Sequence, residues 1–254
     1  MLRKRIIPLL LIDNNKLVKT VSFKNPSYVG DPINAIKIFN EKEVDELMVL
    51  DIEASKLKKN PDYSLIESFA SECFMPLTYG GGIKSLKQAE KLFSLGVEKI
   101  LVQTSVLENH NFLHELIQSF GSSSIVASID IKKNFFNKFK IYSHSKIKNH
   151  GFSSLEKYID LLNQYDVGEV LLNDVDRDGQ MQGQNQKLIN YVANKLKSPM
   201  ISLGGIGSFE DIKESFDSGA SAVAAGAFFV YHGPHRAVLI NYPDPKTISK
   251  ITGL

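Results

Sequence analysis

The chain has 254 residues, 43% hydrophobic and 23% charged, enough apolar material for one large core, which excludes disorder. Thirty basic residues against twenty-eight acidic ones give a formal charge of +2. The whole chain thus carries no electrostatic footprint for nucleic acid, and any anion site must be local. The single cysteine, Cys73, excludes an internal disulfide framework and a Cys-rich zinc site and fits a reduced, cytoplasmic compartment.

The chain opens with basic residues and an apolar run, Ile6 to Ile12, interrupted by Pro8 and closed by Asp13. It is too short for a secretion signal or a membrane span, no later stretch approaches about 18 apolar residues, and it reads as a buried strand. Asp31-Pro32 follows as an N-cap with proline at the first helical position, continued by Ile33, Ile36 and Phe39 at helical spacing. A second strand covers Glu46–Ile52. Cys73 is read within a helix before Pro76, as a small core residue.

Met75–Tyr79 reads as the third strand, Ser85 to Gly96 as a capped helix and Lys99–Thr104 as the fourth strand. His110 and His114 stand at i, i+4 spacing, but Asn111, Phe112 and Leu113 supply no third ligand, so no metal site is expected, and no cofactor is implied. The fifth strand, Ile125–Asp130, precedes a basic, aromatic, hairpin-like insertion from Lys132 to Lys148, read as a solvated strand pair. Glu169–Asp174, Met200–Leu203 and Ala222–Gly226 complete eight strands, with a helix from Ser208 to Gly219 before the last.

Strands alternating with helices throughout predict a parallel α/β fold. Segments also recur at an offset of about 123 residues: Val44-Asp45-Glu46-Leu47 answers to Val167-Gly168-Glu169-Val170, and Gly96-Val97 to Gly219-Ala220. Eight strands, this length and the repeat predict one (β/α)8 TIM-barrel domain over residues 1–254, built from two half-barrels. Active sites of such barrels lie at the C-terminal strand ends. There stand Gly80-Gly81-Gly82, Gly204-Gly205-Ile206-Gly207, Thr104-Ser105 and Ala224-Ala225-Gly226. Glycine admits backbone N–H groups close to an anion, so two such loops half a barrel apart suggest a ligand with two phosphates.

Lys4-Arg5-Ile6-Ile7-Pro8, Gly30-Asp31-Pro32, Asp45-Glu46-Leu47, Leu50-Asp51-Ile52, Gly80-Gly81-Gly82-Ile83, Asp176-Arg177-Asp178-Gly179 and Gly204-Gly205, in order along nearly the whole chain, resemble the HisF family. That family includes the cyclase subunit of imidazole glycerol phosphate synthase. The resemblance implies pairing with a HisH-type glutaminase, whose ammonia enters at the N-terminal face and passes through the barrel to the opposite face. It implies an ammonia gate at Arg5, Glu46, Lys99 and Glu169. It implies phosphate-binding positions at Gly82 and Thr104 on one side and at Asp178, Gly179, Gly205, Ala225 and Gly226 on the other. Leu203 and Gly226 depart from the family's usual serines, each removing a hydroxyl donor.

The cyclase reaction, as the resemblance implies, needs two opposed carboxyl groups. Asp130 occupies one position; at the other, in the first strand, stands Leu11, which transfers no proton. Asp13 shares the side-chain parity of Leu11 but lies about 6–7 Å further along an extended strand, too far for a good substitute. The pattern resembles a HisF subgroup associated with surface-polysaccharide synthesis, whose members accompany a HisH-like glutaminase and a separate sugar amidotransferase. The leading expectation is a barrel that conducts ammonia to such an enzyme, with no nucleic-acid or membrane partner. A competent cyclase and a non-conducting allosteric scaffold are the alternatives. The apolar run after Arg236, within Gly233 to Ile240, is read either as a partner-docking segment or as core.

Overall fold

The computed structural model of the chain describes residues 3–136, 138–143, 152 and 154–253. In chain order the strands are β1 (Arg5–Asp13), β2 (Lys16–Val21), β3 (Lys24–Gly30), β4 (Leu47–Asp51), β5 (Leu77–Gly80), β6 (Lys99–Val102), β7 (Ile125–Lys133), β8 (Phe139–Ile141), β9 (Glu169–Asp174), β10 (Met200–Leu203), β11 (Ala222–Ala225), β12 (Tyr231–His232) and β13 (Ala237–Val238). The helices are α1 (Pro32–Glu41), α2 (Tyr63–Glu72), α3 (Leu86–Ser94), α4 (Thr104–Glu108), α5 (Asn111–Phe120), α6 (Leu155–Tyr165), α7 (Gln186–Ala193), α8 (Phe209–Asp217), α9 (Ala227–Val230) and α10 (Pro245–Thr252).

Parallel pairing runs β1–β4–β5–β6–β7–β9–β10–β11 and closes on itself, Arg5 lying opposite Ala222 and Pro8 opposite Ala225. The fold is a (β/α)8 barrel, and all eight barrel strands fall within two residues of their expected bounds, apart from the extension of β7 to Lys133. Alternation divides each strand between two cores. In β1, Ile6, Leu10 and Ile12 face the helix layer, while Ile7, Leu9 and Leu11 face the bore with Met48, Val126, Leu171 and Ile201.

Capping explains where the helices begin. Asp31 accepts from the Asn34 amide with Pro32 at the first position, Ser85 accepts from Gln88, and Ser208 and Asp211 form a reciprocal box. The half-barrel repeat extends to backbone packing. Gly81 (φ +122°) and Gly204 (φ +96°) each lie so close to a neighbouring strand end that a Cβ would fall 2.5 Å from the Asp51 carbonyl oxygen and 2.7 Å from that of Asp174. Only glycine tolerates both the positive φ and the approach.

Four features depart from or refine the expectations. The segment after β1 doubles back antiparallel as β2, turned at Asn14 and Asn15 with φ of 46° and 60°, and β2 pairs antiparallel with β3 through a turn at Ser22 and Phe23 with φ of 50° and 61°. Cys73 is not inside a helix: it follows α2 as the capping residue, half-buried, with its thiol 3.4 Å from the Met75 carbonyl oxygen and pushed up to about 11 by burial. The 237–240 run is not core throughout, because β12 and β13 pair as a short hairpin that leaves Val238 and Leu239 exposed, while Ile240 packs inward. In the basic insertion β8 does pair antiparallel with β7, with Phe135 and Phe136 exposed at the turn; His144, Lys146, Lys148 and His150 lie outside the described residues. Among the described residues no helix is long and apolar enough to cross a membrane.

Candidate functional site

At the N-terminal ends of the barrel strands Arg5, Glu46, Lys99 and Glu169 meet in one ring. Arg5 donates to both Glu46 and Glu169, and the Lys99 Nζ lies 3.1 Å from Glu46 Oε2 and 2.7 Å from Glu169 Oε2. Thr78 Oγ1 donates at 2.8 Å to Glu46 Oε1, which Lys99 Nζ also reaches at 3.3 Å. Each side chain points inward by strand parity, so four strands supply one circle of alternating charge. Burial works against the charges on Arg5 and Glu169. Their mutual bonds outweigh it, raising the Arg5 pKa and, with Lys99, lowering that of Glu169. Above the ring the bore is hydrocarbon, packed as barrel interiors are.

At the C-terminal ends a chamber of about 580 Å³ opens. Its floor is Leu9, Leu11, Leu50, Leu101, Leu171 and Leu203, and its wall holds Gly82, Thr104 and Ser105. Phe23, Lys24, Asn25 and Pro26, from the turn and start of β3, lie along its rim. Asp130 faces into it, held by Ser128 Oγ at 3.3 Å. Burial pushes the Asp130 carboxyl up to about 7, with bonds from Ser128, Asn173 and Gln103 opposing. Asn173 Oδ1, buried at the chamber wall, has no hydrogen-bond partner among the described residues.

No carboxylate stands in the place of Leu11, which is 8% exposed among the floor leucines. Asp13 lines the chamber but is engaged in the β1–β2 turn, where Asn14 Nδ2 donates to it at 2.9 Å, so it does not fold back toward Leu11.

Asp178, Gly179, Gly205, Ala225 and Gly226 border a second, much smaller cavity of about 20 Å³ beside the chamber. Lys19 of β2 reaches into it, 4% exposed, and its Nζ donates to the Leu9 carbonyl oxygen at 2.6 Å. Burial lowers the Lys19 pKa to about 7 against the pull of Asp178, while burial raises Asp178 to about 6 against Lys19 and Thr20. The hairpin is tied to this side: the Ser22 amide donates to the Asp178 carbonyl at 2.9 Å and Thr20 Oγ1 to the Asp178 carboxylate at 3.3 Å. The expected sites therefore separate into a roomy half with Gly82 and Thr104 and a filled half with the other five residues.

Sequence reading missed Lys19 and Asn173. Lysine is almost always exposed, so nothing about Lys19 by itself signals burial. The Asn14-Asn15 pair before an alternating stretch was the available sign of the hairpin that carries it. His114 stacks on Tyr165 at 5.2 Å and His110 lies against Phe152 at 4.3 Å; among the described residues no group of three metal-binding side chains occurs.

A family profile described as histidine biosynthesis protein matches residues 5–235. A Pseudomonas aeruginosa protein provisionally named imidazole glycerol phosphate synthase subunit hisF2 is 50% identical over 96% of this chain and 97% of its own length. The chain belongs to the HisF family. A Leptospira interrogans relative provisionally named imidazole glycerol phosphate synthase subunit HisF is 46% identical over 96% of both chains, and a Vibrio vulnificus hisF3 is 44% identical over 98% of this chain and 96% of its own. Within this HisF chain the four-charge ring is complete, whereas in the chamber Asp130 faces Leu11 where the resemblance implies a second carboxyl, the other lining acids being Asp13, Asp51, Glu53 and Asp178.

Proposed function

We propose that this chain is the barrel subunit of a glutamine-dependent amidotransferase that does not itself cyclise. On this reading a HisH-like glutaminase docks at the ring of Arg5, Glu46, Lys99 and Glu169, and ammonia passes the ring and crosses the apolar bore. It is released in the chamber, where a separate amidotransferase uses it to amidate a surface-polysaccharide sugar. A lining of Ile7, Met48, Val126, Leu171 and Ile201 offers ammonia no hydrogen bond and excludes the water that would protonate it. Gly82 and Thr104 bind the phosphate of a ligand in the chamber, and Asp130 exchanges protons there.

The observation that carries this reading is Leu11. General acid–base chemistry needs a group within about 3 Å of each proton it moves, and at the first-strand position opposite Asp130 stands Leu11; Asp13 is held in the turn, Asp51 accepts from the Glu53 and Ala54 amides and Asp178 from Thr20. The second reading, an active cyclase subunit of histidine biosynthesis, is favoured by the names of the relatives. Leu11 speaks against it.

Conduction is tested with heavy-nitrogen amide-labelled glutamine. The chain is combined with its glutaminase and the sugar amidotransferase in a solution of unlabelled ammonium salt. Heavy nitrogen in the amidated sugar well above the bulk fraction, falling at least tenfold in Arg5→Met or Lys99→Met, is the expected result. Label equal to the bulk, or unchanged in those variants, makes the barrel an allosteric scaffold instead.

A further inference from the structure

We propose that the β7–β8 hairpin is the docking element for the enzyme that takes up the ammonia, a protein whose contacting surface is acidic around an apolar recess. This rests on the proposed reading for ammonia leaving through the chamber, and adds where the acceptor is held.

The hairpin stands at the chamber mouth. β7 runs three residues past Asp130, about 10 Å of extended strand, before the chain turns back as β8. Its base is fixed: the Lys133 amide donates to Asp176 Oδ2 at 2.9 Å, the Tyr142 amide to the Asp130 carbonyl oxygen at 2.7 Å, and Gln103 Nε2 to the Tyr142 carbonyl oxygen at 2.8 Å. Tyr142 meets Phe23 of the chamber rim edge-on, with ring centres 5.8 Å apart. The turn is fixed as well, because Asn134 Oδ1 accepts from the Phe136 and Lys138 amides, both at 3.0 Å. What this closed turn shows to solvent is two aromatic rings. Phe135 is 98% and Phe136 78% exposed, and their rings touch only each other's edge, at 5.8 Å. Such a ring buries about 150–250 Å² when covered, and a turn already held in place loses little freedom on docking.

The lysines are the second observation. Residues 131–142 carry Lys132, Lys133, Lys138 and Lys140 and no acid. Among the described residues none of these four ammonium groups makes an ion pair. Lys132 and Lys133 rest on rings of the hairpin itself, Tyr142 at 5.5 Å and Phe139 at 5.4 Å, which positions the charges without neutralising them. Lys132 lies directly opposite Lys140 in the register, and by alternation both share the face of Asp130, the one turned to the chamber. Like charges directly opposed across an antiparallel pair destabilise it. Carboxylates brought by a partner remove that repulsion.

Together these features fit a protein. Interfaces combine aromatic anchors with a charged rim, and a basic rim steers an acidic partner. A nucleic acid calls for a basic field that a chain of net charge +2 does not provide. A lipid surface would leave the mouth open to headgroup water, whereas ammonia handed to an enzyme has to be kept from the water that protonates it.

Sedimentation titration of the chain, bound to its glutaminase, with the sugar amidotransferase tests the hairpin. The double variants Phe135→Ser/Phe136→Ser and Lys132→Glu/Lys140→Glu are each expected to weaken association about tenfold or more. The intact chain is expected to lose affinity about fivefold between about 50 and 300 mM salt. Thermal midpoint and glutaminase affinity should stay as in the intact chain, since the changes lie on an exposed turn at the other end of the barrel. Variants that bind the amidotransferase like the intact chain, binding indifferent to salt, or no binding by the intact chain each overturn the proposal. Vesicles of phosphatidylcholine and phosphatidylglycerol are expected to retain none of the proteins; retention of the intact chain alone makes the hairpin a membrane anchor and overturns it too. Hairpin variants that bind normally sink this inference alone, whereas ring variants that leave nitrogen transfer unchanged sink the conduit reading alone.

Discussion

The two ends of the barrel treat charge in opposite ways. At the N-terminal end two cations and two carboxylates satisfy one another, and Thr78 adds a bond to Glu46 Oε1. At the C-terminal end the acid that would oppose Asp130 has become Leu11, and burial pushes Asp130 up to about 7. A ring that is fully paired holds its position whether or not chemistry happens above it. With Leu11 across from it, Asp130 can exchange a proton but meets no carboxyl at the first-strand position, the chamber's other acids standing elsewhere on its wall. On the proposed reading, the contrast separates transport from catalysis in one molecule.

Breaking the ring has the largest expected effect. Arg5→Met leaves Glu46 and Glu169 sharing only Lys99, and removal of one partner from a buried ion pair typically costs about 3–5 kcal/mol. With Arg5 itself a fifth exposed the lower end is expected, read as a fall in the urea midpoint. Installing an acid at the other end sharpens the comparison. Leu11→Asp places a second carboxyl on the chamber floor, should cost about 1–3 kcal/mol for burying it, and raises the upper titration step of the pair above about 7, seen by carboxyl-carbon NMR.

Lys19 predicts a pH dependence. Its amine titrates near 7 when folded against 10.5 ordinarily, so between those values the folded chain holds fewer protons than the unfolded one. Stability from this group therefore rises with pH across that window and is lost as pH falls toward 7. Urea midpoints of Lys19→Met, compared with the intact chain from pH 7 to 9.5, are expected to lack this rise. The smallest effect belongs to Phe74, 85% exposed between α2 and β5 on the face that carries the ring. Phe74→Ser should change stability by no more than about 0.5 kcal/mol while weakening glutaminase association several-fold in a sedimentation titration.

Most of the scaffold was legible. Apolar runs marked every barrel strand, and Asp31-Pro32, Ser85 and Ser208 marked helix starts, because strand burial and capping are local properties. The ring was legible through family resemblance, and its four residues prove to be in contact. What escaped depends on tertiary contact. The β2–β3 hairpin buries Lys19 against Leu9 and Asp178, 10 and about 160 residues away, and no local pattern encodes that. Leu203 and Gly226 already set the second glycine cradle apart in sequence, but no local pattern shows that a side chain from the hairpin reaches into it. Cys73 was misplaced by a matter of one helical position, where α2 ends in an extended cap before Pro76.

The most direct measurement of the central claim supplies the purified chain with ammonium salt and the ribulosyl form of the aminoimidazole carboxamide nucleotide, bypassing any glutaminase. The account predicts no imidazole glycerol phosphate from the intact chain. Turnover by the intact chain, with Leu11 in place, would contradict it.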